Sequence, residues 1–126
     1  MHEEFRSEDG QSILVVEEGR DIATLRSAQG NPDVSVNILR PTVYAAISNH
    51  QKLIAIIVGH VTQDLYILRR DPNGKWPDGP DMITRFRKRS ASMSWEETDD
   101  ARYPPTKLIV KLSDGTQYTW SPTDSQ

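Results

Sequence analysis

The stretch from Lys52 to Arg70 constrains the fold more than any other part of this sequence. It opens with six consecutive apolar residues, Leu53 to Val58, and four of them are β-branched isoleucine or valine. Branching at Cβ favours a pleated strand, and an apolar run without polar alternation is typical of a strand buried on both faces. The pattern breaks at Gly59 and resumes at Leu65. The stretch therefore predicts two strands, joined by a short turn, at the centre of a sheet.

Short apolar runs separated by turn residues continue along the rest of the chain. No helical period extends beyond about two turns, so the sequence predicts an all-β fold of about eight short strands. A compact antiparallel sandwich, a barrel and a partial propeller all fit this pattern. Residues 21–28 and 81–87 fit either a strand or a short helix, and the compact turn expected at Glu18-Gly19-Arg20 slightly favours a strand for 21–28.

The last hairpin is the best-defined local unit, because Asp114-Gly115 separates two alternating segments. Asp-Gly is a strong signal for a two-residue hairpin turn. That turn would pair Lys111 with Tyr118 and Ile109 with Trp120. One face of the hairpin would then be aliphatic and core-like, and the other would present a lysine, an isoleucine and two aromatic rings.

The length, the net charge and the absence of cysteine exclude several classes of protein. The 126 residues predict one β-rich domain over 12–121, with an acidic N-terminal arm over 1–11 and a polar tail over 122–126. The chain has no cysteine and a net charge of −3, which excludes a disulfide scaffold and weakly disfavours bulk nucleic-acid binding. The N-terminus does not resemble a secretory signal, and no apolar run approaches the length of a membrane span. We expect a soluble chain without membrane contact, cytoplasmic by default.

No motif of a catalytic or metal site is recognisable in the sequence. None of His2, His50 and His60 shares a metal-ligand spacing with another histidine or with a carboxylate pair. There is no nucleophile elbow and no glycine-rich phosphate loop. We therefore expect a non-enzymatic binding domain without a cofactor or a metal.

Two sets of residues are candidates for binding. The first contains the aromatic residues Trp76, Tyr118 and Trp120 together with Lys111, because a large rigid ring contributes contact area at little entropic cost. For Trp76 and Trp120 a core position is equally open, and Trp95 is expected in the core. The second set is a basic patch that consists of Arg85, Phe86, Arg87, Lys88 and Arg89. Cations interleaved with an aromatic ring are typical of a surface for nucleic acid or for an acidic partner.

Three segments share one pattern of apolar strand, turn and second strand, and they begin at Ile13, Leu53 and Leu108. One region also resembles a blade of the fucose-binding β-propeller lectins, through Ala45-Ala46-Ile47-Ser48, the apolar run Ile54–Val58, and the turn Asp71-x-Asn73-Gly74-x-Trp76. The resemblance implies glycan binding at Trp76. In that family an arginine on the second strand and a glutamate on the third also bind the sugar, and neither is matched here.

The sequence thus leaves three binding functions open. The first is a protein–protein interaction module of the inhibitor or adaptor type. The second is a lectin-like carbohydrate-binding module, and the third is a nucleic-acid-binding accessory protein that uses the basic patch. Exposed edge strands could also pair between copies and give a homo-oligomer.

Overall fold

A computed structural model describes residues 2–17, 19–30, 32–98, 100, 102 and 105–122. The described residues form three open antiparallel sheets in a sandwich-like stack, and none of these sheets closes into a barrel. The all-β prediction is confirmed, although the described residues form eleven strands rather than about eight. They are β1 His2–Arg6, β2 Ser12–Glu17, β3 Ile22–Ser27, β4 Val34–Asn37, β5 Thr42–Ile47, β6 Leu53–Val58, β7 Gln63–Arg69, β8 Asp81–Phe86, β9 Ser90–Glu96, β10 Lys107–Leu112 and β11 Gln117–Trp120.

Each sheet is a meander of strands that follow one another in sequence. The first sheet has the order β1-β2-β3-β4, the second β5-β6-β7-β8, and the third β11-β10-β9. The strand β5, which begins the second sheet, contacts β1 and β2 on one side and β9 on the other. The three segments that share a sequence pattern form the hairpins β2–β3, β6–β7 and β10–β11.

The strand β6 lies in the middle layer and is buried on both faces, as its apolar run predicts. Ile54 and Ile56 pack into a core between the first and second sheets. Leu53, Ala55 and Ile57 pack into a core between the second and third sheets. All five side chains are at most 2 % exposed, so this run belongs to two cores at once. A turn at 59–62 then leads to β7, as expected.

Both segments that the sequence left open are strands, since 22–27 forms β3 and 81–86 forms β8. The predicted N-terminal arm contains a strand: β1 pairs with β2 along its whole length. Phe5, from β1, packs against the core between the first and second sheets, which gives this acidic segment an apolar anchor. Of the predicted polar tail, residues 123–126 lie outside the described part of the chain.

The last hairpin forms where it was predicted, but its predicted register is wrong by one residue. Leu108 pairs with Trp120 and Val110 with Tyr118, so both aromatic residues share a face with the aliphatic ones. The amide of Leu112 donates a hydrogen bond to the carbonyl of Thr116 at 2.9 Å, which closes a three-residue loop instead of a two-residue turn. A shift of one residue moves every side chain of a strand to the other face.

Candidate functional site

All three tryptophans are buried, at 6–8 % exposure, so none presents an open ring face. The ring of Trp120 packs edge-on against Trp95, with centroids 6.1 Å apart, and the Arg69 guanidinium lies 5.8 Å from its centroid. The indole nitrogen of Trp95 donates a hydrogen bond to the carbonyl of Ala46 at 2.9 Å. Trp95 is therefore in the core, as expected, and the corrected register places Trp120 beside it.

Trp76 lies in the other core, between the first and second sheets. Its ring is covered by the Arg70 guanidinium, 5.8 Å from the ring centroid. The loop that carries it is held against the first sheet, because the side-chain amide of Asn37 donates to the carbonyl of Asp78 at 2.7 Å. The indole nitrogen of Trp76 is buried and has no hydrogen-bond partner among the described residues.

The four residues of the first candidate set do not come together. Tyr118 is half-buried and packs edge-on against Phe86 with centroids 5.4 Å apart, and burial raises its pKa. Lys111 is exposed on the face of the third sheet opposite Tyr118 and Trp120. The two cores on either side of the second sheet separate Trp76 from Trp120. The structure therefore does not assemble a site from these residues.

The basic patch divides into two parts with different surroundings. Arg85 forms an ion pair with Asp64 at 2.8 Å, and its hydrogen bonds lower the pKa of that carboxyl group. Phe86 is only 8 % exposed, so it cannot stack on a nucleic-acid base. The remaining residues, Arg87, Lys88 and Arg89, are exposed in the connection between β8 and β9, and we call them the tribasic segment.

Five connections meet at one end of the molecule, which we call the loop end. They follow β2, β4, β6, β8 and β10, and each spans only three or four residues. Four hydrogen bonds, made by these connections or by the strand residues that follow them, link them in order across the three sheets. Arg40 Nη1 donates to the Gly19 carbonyl at 2.6 Å, and the Gly59 amide donates to the Pro41 carbonyl at 3.0 Å. The Ser90 amide donates to Gln63 Oε1 at 2.7 Å, and the Ser113 amide donates to the Arg89 carbonyl at 2.7 Å.

A cavity of about 800 Å³ opens at the loop end between the first and second sheets. In the wall of this cavity, the Arg20 guanidinium forms an ion pair with the Glu17 carboxylate at 3.3 Å. Both charged and aliphatic side chains line this cavity, and His60 carries the only aromatic ring among the described residues of its wall. Its lining consists of Glu3, Val16, Glu17, Gly19, Arg20, Asp21, Leu39, Arg40, Pro41, Thr42 and His60.

Three exposed aliphatic side chains belong to the loop end, and one of them lines this cavity. Leu39, 36 % exposed, lines it directly, and Ile22 (38 %) and Val61 (96 %) each follow a lining residue in the chain. We call these three residues the apolar cluster. Among the described residues only Met82, on β8, is another large hydrophobic side chain with such exposure. Sequence reasoning missed the apolar cluster, although an aliphatic residue within a short polar turn was the signal that could have revealed it.

A second cavity, of about 590 Å³, lies where β1, β5 and β9 approach one another. The carboxylate of Glu97 at its border accepts a hydrogen bond from the Asn49 amide at 2.9 Å. Burial, together with the negative charges of Glu8 and Asp9, raises the pKa of Glu97. The amide of Asp9 in turn donates to the side-chain oxygen of Asn49 at 3.1 Å, which joins three connections at the end opposite the loop end.

Comparisons of the chain with protein-family models, with curated proteins and with solved structures find no match. Within the described ranges, no group of three or more histidine, aspartate or glutamate side chains is arranged to hold a metal ion. The same ranges contain no helix that is long and apolar enough to cross a membrane. The candidate site therefore rests on the geometry of the loop end alone.

Proposed function

We propose that this protein is a non-catalytic binding domain that engages a protein partner through its loop end. The observation that carries the proposal is the apolar cluster, since three of the four exposed large hydrophobic side chains among the described residues lie at the loop end, and Leu39 lines its cavity. Single exposed aliphatic residues are normal on a protein surface, whereas a group of them beside a concave surface marks an interaction site.

The surroundings of the apolar cluster support a protein partner rather than a small ligand. Protein interfaces combine an apolar centre with a polar and charged rim. Here Arg20, Arg40 and the carboxylates of the cavity wall supply such a rim. Small-ligand pockets are lined mainly by apolar and aromatic side chains, whereas five of the eleven described residues that line this cavity are charged and none is phenylalanine, tyrosine or tryptophan.

The lectin-like alternative requires an aromatic ring with an accessible face for the sugar to stack on. Arg70 lies over the ring of Trp76, and Arg69 lies over the ring of Trp120. Both rings are also packed in cores, so no observation favours carbohydrate over protein as the ligand.

The test compares Val61→Asp with Met82→Asp, because both positions are exposed aliphatic residues and only Val61 belongs to the apolar cluster. Each full-length variant is immobilised and used to capture partners from an extract of the source cells, with quantitative mass spectrometry as the readout. We expect one dominant protein with the unaltered chain and with Met82→Asp, and at least about tenfold less of it with Val61→Asp.

Circular dichroism and thermal unfolding should be unchanged in Val61→Asp, since a side chain that is 96 % exposed contributes little to the core. The proposal is wrong if no protein is captured in near-stoichiometric amount, or if Met82→Asp loses the partner while Val61→Asp keeps it. Light scattering of the purified chain identifies the case in which the partner is a second copy.

A further inference from the structure

We propose that the tribasic segment recognises carboxylates on the same partner that covers the apolar cluster. The partner would then be a protein whose contact region places acidic residues beside an apolar patch. This inference rests on the proposed function and specifies the chemistry of its partner. It depends on three properties of the tribasic segment: its attachment at both ends, its lack of ion pairs, and its position beside Val61 of the apolar cluster.

The tribasic segment is held at both ends by buried or hydrogen-bonded neighbours. Phe86 precedes it and is 8 % exposed in the core between the second and third sheets. Ser90 follows it, and both its amide and its hydroxyl donate to Gln63 Oε1, at 2.7 and 3.0 Å. The carbonyl of Arg89 also accepts the Ser113 amide at 2.7 Å. Three residues between such anchors lose little backbone freedom on binding, which favours association.

The charge of the tribasic segment is only partly balanced within the described molecule. Its three cations form no ion pair with any described residue. Of the carboxylates in neighbouring segments, Asp64 is paired with Arg85, and Asp114 accepts hydrogen bonds from Thr116 and keeps its negative charge. The pKa of Asp114 is lowered chiefly by the hydrogen bonds from Thr116, and the positive charge of Lys88 contributes to this lowering. A concentration of positive charge remains on a chain whose net charge is −3.

The tribasic segment lies beside one member of the apolar cluster. Gln63 pairs with Phe86 across β7 and β8, so the turn that contains Val61 is adjacent to the connection that contains Arg87. One contact region can therefore cover Val61 and reach the cations. A nucleic acid would leave the apolar cluster uncovered, and the burial of Phe86 removes the ring on which its bases could stack. These observations favour an acidic protein surface over nucleic acid.

The experiment uses the full chain and the partner captured with it. Association and dissociation rates are measured at about 50 mM and about 1 M salt for the unaltered chain and for a triple variant, Arg87→Gln, Lys88→Gln and Arg89→Gln. We expect the triple variant to associate at least about tenfold more slowly at low salt, with its dissociation rate changed by less than about twofold. The difference should vanish at high salt, because the screening length there is only about 3 Å.

A single-residue comparison provides the matched control. Lys88→Gln should slow association at low salt, whereas Lys75→Gln, which removes an exposed lysine at the opposite end, should not. Carbodiimide cross-linking then tests contact directly, because it joins a lysine amine to a carboxylate only when the two touch. We expect mass spectrometry to find Lys88 linked to an aspartate or glutamate of the partner, close to an apolar segment.

The outcomes separate this inference from the proposed function. If Val61→Asp abolishes capture while the triple variant binds as the unaltered chain does at both salt concentrations, the proposed function stands and the acidic partner is refuted. If the unaltered chain captures no protein, both fail together. Nuclease-sensitive retention of RNA or DNA that disappears in the triple variant would also overturn the inference, in favour of nucleic acid.

Discussion

Replacing Gly59 by alanine tests how the loop end is built. Gly59 has φ +112°, and a Cβ atom placed there would overlap the carbonyl oxygen of Thr62. Real Cβ atoms do not approach a backbone oxygen so closely, and a backbone carbonyl cannot rotate away as a side chain can. The amide of Gly59 also donates to the Pro41 carbonyl at 3.0 Å, so any local shift disturbs the neighbouring connection.

Gly10 offers a matched control for the cost of backbone conformation. Its φ is +74°, and a Cβ atom there would meet nothing within 4 Å. Gly10→Ala should therefore cost only the left-handed conformation, about 1–2 kcal/mol of unfolding free energy. Gly59→Ala adds the backbone distortion that relieves the contact, about 4 kcal/mol for a bond-angle change near 15°, and about 1 kcal/mol for a weakened hydrogen bond. We expect it to cost at least about 3 kcal/mol more than Gly10→Ala.

Urea unfolding followed by tryptophan fluorescence measures both variants, since all three indole rings are buried in the folded chain. A difference of about 3 kcal/mol corresponds to roughly 12 °C in melting temperature for a domain of this size. The reasoning is refuted if the two variants lose the same stability within about 0.5 kcal/mol. Gly59→Ala should also weaken partner capture, because it displaces the turn that carries Val61.

Three further predictions concern the core and the half-buried acid Glu97. Ile56→Ala and Ile57→Ala should each lower the unfolding free energy by about 2–5 kcal/mol, and a loss below about 1 kcal/mol for either would contradict burial of β6 on both faces. Trp76→Phe removes a buried indole N–H that has no hydrogen-bond partner among the described residues, whereas Trp95→Phe leaves the carbonyl of Ala46 without its donor. Denaturant unfolding should therefore show a smaller loss of stability for Trp76→Phe than for Trp95→Phe, and the opposite order would contradict this account. The raised pKa of Glu97 means that the folded chain holds that proton more tightly than the unfolded chain. Stability should therefore fall as pH rises from the ordinary glutamate value through the folded pKa, and Glu97→Gln should remove this fall; unfolding curves that run parallel from pH 4 to 8 would argue against it.

The central strand could be predicted from sequence because its signal is local. A strand of six apolar residues has no polar face to present to solvent, so it is expected to be buried on both faces whatever the rest of the sequence is. The same holds for the turn at Asp71–Gly74, where the amide of Gly74 donates to the carbonyl of Asp71 at 2.9 Å. Such features need no knowledge of the partner strands, and both were correctly predicted.

The register of the last hairpin depended on a detail that the pattern does not contain. Asp-Gly fits a two-residue turn, but it also fits a three-residue loop that ends with glycine in the left-handed region. Gly115 has φ +88°, and the Asp114 carboxylate accepts the Thr116 amide at 2.9 Å, which stabilises the longer loop. One added residue reverses the faces, and for that reason Tyr118 and Trp120 share the aliphatic face instead of the opposite face that the two-residue turn predicts.

Trp76 illustrates a long-range contact that local patterns cannot reveal. Its surroundings, Trp76-Pro77-Asp78-Gly79-Pro80, have the composition of an exposed irregular loop. The loop instead folds back so that the ring enters the core formed with the first sheet. Val36 and Ile38 in that core are separated from Trp76 by some forty residues of sequence, and nothing in the loop itself specifies the contact.

The position of the candidate site follows from the alternation of the strands. In consecutive antiparallel strands, every second connection lies at the same end, so the short connections after β2, β4, β6, β8 and β10 meet at the loop end. The longer connections, between β7 and β8 and between β9 and β10, lie at the opposite end, together with Trp76. Short, mutually hydrogen-bonded connections lose less conformational freedom on binding than long ones. The tight turns at the loop end are for this reason better suited to hold a partner than the long loop between β7 and β8, rich in proline and glycine, to which the sequence first directs attention.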